Sequence, residues 1–352
     1  MVSALGKHDV SEYLLLRVET DAGIDGAGEA TVTPQWSGET IWGTQAIVDH
    51  IFAPLLIGCD PYDLDTIHHR MDSAATGNWF AKSAIDMACW DIRGKAEQQP
   101  IYALLGGPVR SHSIECRFSM GAYPVARACD RAVELVKRGF STIKVKVGTG
   151  EREDVDRVLA VRNAIGPSPC IVIDANCGYD TETAIRVARE LESASVSLFE
   201  QPTPRDDYYG LAEVRREITP QVMADDICFD LAQARECLRH EACDVISVYP
   251  GKNGGLSKSM QIVELAEEHG VACSIGSNLE LDVGSAAMCH LVLAHCNMDV
   301  ENYPGDIMGP DYHSVRVVKE PLAIAGPTIA ITERPGLGMD VDWDIVAAHA
   351  ID

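Results

Sequence analysis

The chain has 352 residues, 46% of them hydrophobic, and a formal net charge of −24. That length and apolar content suffice to bury a large core and exclude a disordered chain. The acidic excess excludes recognition of nucleic acid through its phosphates, or of an anionic membrane surface, because both need a basic face.

Residues 1 to about 110 read as an α+β region. EYLLLRVETDAGIDGAGEA predicts a hairpin with a Gly-rich turn, followed by helical patterns near 38–57 and 80–97. PIYALLGGPVR marks a turn-rich boundary. Beyond it, short apolar runs alternate with amphipathic segments. The runs are SIECRFSM, TIKVKV, CIVIDAN, VSLFEQP, QVMADD, DVISVYP and VACSIG, with a weaker one near NMDVENYP. The helical patterns cover 124–138, 151–165, 181–193, 230–240 and 255–269. Strand then helix, repeated about eight times, predicts an α/β fold with a parallel (β/α)8 barrel over 111–320. The strand-like tail, 321–352, is expected to fold back on the first region.

In such a barrel the functional groups gather at the carboxyl ends of the strands. Asp174, Glu200 and Asp225 end successive runs, 26 and 25 residues apart, which is one strand-plus-helix unit each time. A single acidic residue there is more often a helix cap. Three at one rim repel one another, and a divalent cation relieves that repulsion. All-oxygen donors favour Mg²⁺, with Mn²⁺ as a substitute. Asn176 shares the face of Asp174 and can support the site or meet a substrate oxygen. Asp226 follows Asp225, so only one of the two faces the mouth, and the other is expected to cap the next helix.

Lys144 and Lys146 lie on one face of TIKVKV, because side chains alternate along a strand. Alone, such a pair more often marks a solvated face. Beside three carboxylates it reads as part of a site.

The ordered motifs KVKVG, IDANCGYD, FEQP, MADD, NGGL, GDIMGP and PGLG resemble the enolase superfamily, in its muconate-lactonizing (muconate cycloisomerase) subgroup, over nearly the whole chain. The resemblance implies an α+β capping domain, 1–110 joined by 321–352, over a modified (β/α)8 barrel. It implies one Mg²⁺ on Asp174, Glu200 and Asp225, and abstraction of the proton α to the carboxylate of a small substrate. Enolase-superfamily sites with a Lys or His base beside Mg²⁺ are themselves a worked case of pKa tuning. Lys146 is implied as the acid/base group, its pKa lowered by the neighbouring ammonium of Lys144. Asp306 of GDIMGP stands where the cycloisomerases have Glu, and Glu280 matches an acidic position after the seventh strand; each either polarises substrate or braces the rim. Homo-oligomerisation is implied as well.

The pattern departs at the end of the sixth strand, where many members carry a second lysine. Aligned on its GG, DVISVYPGKNGG places Tyr249 there, as a neutral proton donor, a hydrogen-bonding group or packing. Lys252, three residues on, is expected to be a solvated loop lysine unless it swings in as the missing base. Without a second lysine the reaction reads as cycloisomerisation or β-elimination. The alternatives are a racemase or epimerase of an amino-acid derivative, and a carboxylate-binding barrel without catalysis. Trp36 of ATVTPQWSGET, and Asn78, Trp79 and Phe80 of TGNWF, are candidates for loops over the substrate.

Twelve cysteines without a CxxC pair, and an opening MVSALGKHDV that is not a basic-then-apolar leader, lead us to expect reduced thiols in a cytoplasmic protein. No apolar run approaches the roughly 18 residues that span a bilayer.

Overall fold

The computed structural model describes residues 2–7 and 10–351; Met1, His8 and Asp9 of the opening stretch, and Asp352, lie outside the described residues. Strands Glu12–Glu19 and Asp25–Val32 pair antiparallel along their whole length, forming the expected hairpin. The turn between them is closed by the amide of Gly23 on Thr20 O and the amide of Thr20 on Ile24 O. Helices Leu64–Ala74 and Trp79–Glu97 follow, and the second lies along the hairpin with fourteen of its nineteen residues buried.

The predicted helix over 38–57 is broken into Ile41–Ile47, a π-helical turn Val48–Phe52 and Ala53–Leu56. Pro54 has no amide proton to offer, so the ladder shifts by one residue just ahead of it, with the Ala53 amide on Val48 O. Helix Leu64–Ala74 went unread in the sequence, although Asp63 caps it by accepting from the Thr66 amide.

Among the described residues the barrel has seven regular parallel strands in chain order: Phe118–Met120, Thr142–Lys146, Cys170–Asp174, Val196–Glu200, Gln221–Ala224, Val245–Val248 and Ala272–Ile275. Outward residues such as Ile143, Ile171 and Ile246 join the main core beneath the helices. Inward, Val172, Leu198, Met223 and Val245 form a separate apolar plug with Tyr303. In each strand the residue two places beyond the plug residue is one of Asp174, Glu200, Asp225 or Ser247. The period of two thus places the acidic residues above a dry floor.

Two expectations need correction. SIECRFSM is not one strand: Ser113–Glu115 pairs antiparallel with tail strand Thr328–Ala330, and only Phe118–Met120 enters the barrel. The weak eighth run forms no regular strand. The segment 297–306 closes the barrel through single bonds instead, with the Asp299 amide on Cys273 O, the Asp306 amide on Ile275 O and the Arg117 amide on Gly305 O. Pro304 removes a ladder donor there.

Helices Tyr208–Glu217 and Asp282–Ala294 complete the outer ring. All thirteen residues of the latter are buried, so it carries no polar face from which a helical period could be read. The tail returns to the first region at helix Trp79–Glu97, where the Leu337 amide donates to Asp91 at 2.9 Å. Among the described residues no helix is long and apolar enough to cross a membrane.

Candidate active site

The strand ends open into a pocket lined by Lys144, Lys146, Asp174, Asn176, Glu200, Asp225, Tyr249 and Asp306, and from the loops above by Trp36, Asn278 and others. Strand register explains the inner ring, since Lys146 pairs with Asp174 and Asp174 with Glu200 across adjacent strands. Both lysines are buried, which excludes the solvated-face reading of TIKVKV.

Lys146 Nζ lies 2.5 Å from Asp174 Oδ2 and 2.6 Å from Asn176 Oδ1. Lys144 Nζ lies 3.0 Å from Glu200 Oε1, 3.3 Å from Asp174 Oδ2 and 4.0 Å from Asp306 Oδ2. The glycine of KVKVG has a steric role: Gly148 sits at φ 82°, and a Cβ there would lie 2.3 Å from Ala175 O, so the loop carrying Asn176 can close over the second strand.

Burial alone would raise the pKa of Asp174, but Lys146 and Lys144 reverse this and hold its carboxyl well below the usual range. Glu200 is raised, by burial first and then by the charge of Asp174. Burial would lower Lys144, yet Glu200 and the other carboxylates raise it, so it stays an ammonium. Asp226 is pushed up to about 7 by burial and by Asp225. It does not cap the next helix, a role that Asp230 fills. It lies buried without a hydrogen-bond partner, its nearest cation being Arg205 at 3.8 Å.

Two supports were not singled out in the sequence. Arg117, on the approach to the first strand, is buried and donates to Glu200 Oε2 at 2.7 Å; a lone arginine inside an apolar run was its only signal. Gln201 of FEQP accepts from the amides of Asp225 (2.9 Å) and Ile227 (3.2 Å), fixing the loop after the fifth strand. Lys252 corrects the expectation of a solvated loop residue. It is fully buried, and Nζ donates to Asp225 Oδ1 (2.8 Å), Asp225 O (3.0 Å) and Ser247 O (2.7 Å). All three ammonium protons are engaged beside the pocket, so it is not poised to swing in as a base.

Tyr249 is buried at the pocket wall and stacks on Trp36, with ring centroids 5.7 Å apart and planes at 10°. Its ring fits because residue 276 is glycine, where a Cβ would stand 2.5 Å from Tyr249 Cε1. Burial, then the carboxylates of Asp225, Glu280 and Asp226, raise its phenol well above the ordinary value, so it is neutral. Of TGNWF, Phe80 packs edge-on against Trp36, while Trp79 lies beneath the ammonium groups of Lys82 and Lys258, and neither Asn78 nor Trp79 lines the pocket. Glu280 does not line it either; it accepts from Ser277 Oγ and the Asn278 amide and so braces the loop after the seventh strand. Asp306 does line it, with Oδ1 buried and unpartnered.

The donor set at the strand ends is three carboxylates without sulfur or imidazole, which suits a hard divalent cation. Elsewhere Glu267, His295 and Cys296 bring ligand-type atoms within 4.8 Å at the surface. There the Asn297 amide donates to His295 Nδ1 at 3.1 Å, leaving the imidazole proton on Nε2, the atom that faces Glu267, when the ring is neutral.

A modified barrel with this ring of lysines and carboxylates under an α+β cap defines the class. Residues 1–106 match the mandelate racemase / muconate lactonizing enzyme N-terminal domain and residues 127–345 the enolase C-terminal domain-like family. The chain belongs to that family, and with it to the enolase superfamily of enzymes. Among its relatives, the hydrophobic dipeptide epimerase of Enterococcus faecalis is 33% identical over 340 residues, 96% of this chain and 94% of that one. Muconate cycloisomerase 1 of Rhodococcus opacus is 33% identical over 338 residues, 95% of this chain and 89% of that one. The crystal structure of the dipeptide epimerase from Enterococcus faecalis V583, complexed with Mg and the dipeptide L-Leu-L-Tyr, superposes with a TM-score of 0.90 at 32% identity, covering 96% of this chain and 94% of that one. Epimerase and cycloisomerase stand at equal identity, so overall similarity does not choose the reaction.

Proposed function

We propose that this chain removes the proton α to the carboxylate of a small substrate with Lys146, and completes the reaction on the same face, by β-elimination or cycloisomerisation. The observation that carries this reading is the opposition of Lys146 and Tyr249. The second and sixth strands are four stations apart in a ring of eight, so a lysine faces one side of the pocket and a buried neutral phenol the other. Proton transfer on both faces needs an acid/base group on each.

Asp174, Glu200 and Asp225 would hold Mg²⁺, with Mn²⁺ able to replace it; the donor set fits the ion, and the related epimerase binds Mg. Bound there, the cation supplies positive charge beside the substrate carboxylate as negative charge develops on its oxygens. The α-proton passes to Nζ of Lys146 in its neutral form, and Asn176 Oδ1 keeps that nitrogen in place. In the elimination, the electrons of the α C–H bond form the C=C bond. The β substituent leaves with its bonding pair, and the protonated Lys146, on the same face, returns the proton to it. Lys144 remains charged and offsets the surrounding carboxylates.

A second reading, epimerisation, is favoured by the epimerases among the relatives. It would require Tyr249 to exchange a proton on the far face, and burial opposes the phenolate that this leaves. Incubation with Mg²⁺ in D₂O, across sugar and hydroxy acids, lactones and N-acylated amino acids, separates the two. We expect elimination or cyclised product without inverted substrate. Recovery of inverted substrate deuterated at the α-carbon would sink the same-face reading.

A further inference from the structure

We infer that the substrate is a monocarboxylate whose part beyond the reacting α-carbon carries no second anion and is seated against Trp36 and Tyr249, and not a dicarboxylate. This rests on the proposed α-proton chemistry at the same pocket and narrows it.

Charge carries the first step. Among the described residues that line the pocket, the cations are Lys144 and Lys146, and both sit on the carboxylates at the strand ends. With the metal they can serve one substrate carboxylate. The remaining wall carries no cation: apart from the carboxylate of Asp306 it is formed by uncharged residues such as Leu5, Thr33, Gln35, Trp36 and Asn278. The Asn278 side-chain amide is uncharged and held in place, donating to Thr31 O at 2.7 Å and accepting from Thr33 Oγ1 at 3.2 Å. Two guanidiniums flank the pocket without lining it: Arg117 donates to Glu200 Oε2 at 2.7 Å, and Arg205 donates to Trp36 O at 2.7 Å and faces Asp226. A second substrate carboxylate would lose its water and find no cation, while the unpartnered Oδ1 of Asp306 repels it.

Shape carries the second step. Three rings fix Trp36: Tyr249 stacked at 5.7 Å, Phe229 at 5.0 Å and Phe80 at 5.8 Å. The cap thus contributes a rigid aromatic surface that meets the barrel opposite Lys146. Such a surface rewards apolar area and offers an anion nothing. Between the two same-face reactions this selects elimination, because closing a muconate-type lactone uses a second carboxylate as the nucleophile.

The test uses the full chain loaded with Mg²⁺ and two matched pairs: cis,cis-muconate against its monomethyl ester, and N-succinyl-L-alanine against N-benzoyl-L-alanine. Binding of all four is read by calorimetry, and α-deuterium exchange in D₂O is followed in parallel on the two N-acyl-L-alanines, whose α-carbon carries an abstractable proton. The monoanion of each pair is expected to bind at least about tenfold tighter. Trp36→Ala is expected to weaken N-benzoyl-L-alanine by about tenfold while leaving Mg²⁺ affinity unchanged. Equal or tighter binding of the dianions, or no binding of either member with Mg²⁺ binding intact, overturns the inference. A monoanion preference without exchange in either N-acyl-L-alanine supports the substrate class and overturns Lys146 as the base, so the two failures are distinguishable.

Discussion

Nζ of Lys252 lies 2.8 Å from Oδ1 of Asp225, with both residues buried. The ammonium compensates a carboxylate that otherwise stands beside Asp226 and Glu200, and fixes how Asp225 is presented to the pocket. Lys252→Met leaves that carboxylate uncompensated. Without metal the variant is expected to lose about 3–5 kcal/mol of stability. Mg²⁺ should restore more of this than it adds to the wild type, because a divalent cation replaces the missing charge. Urea unfolding with and without Mg²⁺ checks both; equal stability of the two proteins without metal would refute the pairing role.

Much of this site is legible in the chain because it lies on strands. A side-chain period of two put Lys144 and Lys146 on one face, and the 26- and 25-residue intervals put three carboxylates at one rim. What was not legible depends on where loops go. Lys252 sits in a polar loop sequence, PGKNGG, and only the turn of helix Pro250–Asn253 sends its side chain inward. Arg117 precedes a strand that the sequence joins to Ser113–Glu115, and the break between two sheets is set by tail strands more than 200 residues away. The eighth strand failed to read as one because it pairs through single bonds around Pro304, so no alternating pattern is required of it.

Lys146 makes an ion pair with Asp174, so removing it confounds chemistry with charge. Lys146→Arg keeps the charge beside Asp174, yet a guanidinium does not give up its proton at working pH. We expect the Arg variant to retain Mg²⁺ binding and most of its stability and to lose turnover by about 10²–10⁴-fold. Turnover within a few-fold of wild type would remove Lys146 from the role of base.

In the proposed reaction Tyr249 forms a wall of the pocket and is not an acid. Tyr249→Phe removes the hydroxyl and keeps the stack on Trp36, so turnover should change by less than about tenfold. Tyr249→Lys places an amine on the face opposite Lys146, and the expected gain is inversion of recovered substrate, seen as α-deuterium in the opposite enantiomer in D₂O. A loss of about 10² or more in the Phe variant would instead assign the phenol to proton transfer.

Glu29, on cap strand Asp25–Val32, joins the cap to the barrel, and Glu280 braces the barrel loop that it meets. Glu29 accepts from the amides of Leu281 and Gly284, each at 2.8 Å, and Glu280 from the Asn278 amide at 2.9 Å. Burial pushes both carboxyls up to about 7, and the charge of Glu29 adds to the effect on Glu280. In the unfolded chain they ionise near pH ~4.3. Between these values the native state holds more protons than the unfolded state, so stability falls as pH rises. Their contribution is full below about pH 4.3 and is lost as pH passes through about 7. A shift of that size corresponds to about 4 kcal/mol per group at most. Urea midpoints of metal-free protein at pH 5.5 and 8 should therefore drop for the wild type, and drop less for Glu29→Gln/Glu280→Gln. An equal drop in both proteins would place the pH dependence elsewhere, for instance at Glu39 or Asp226, whose carboxyls burial also raises to about 7.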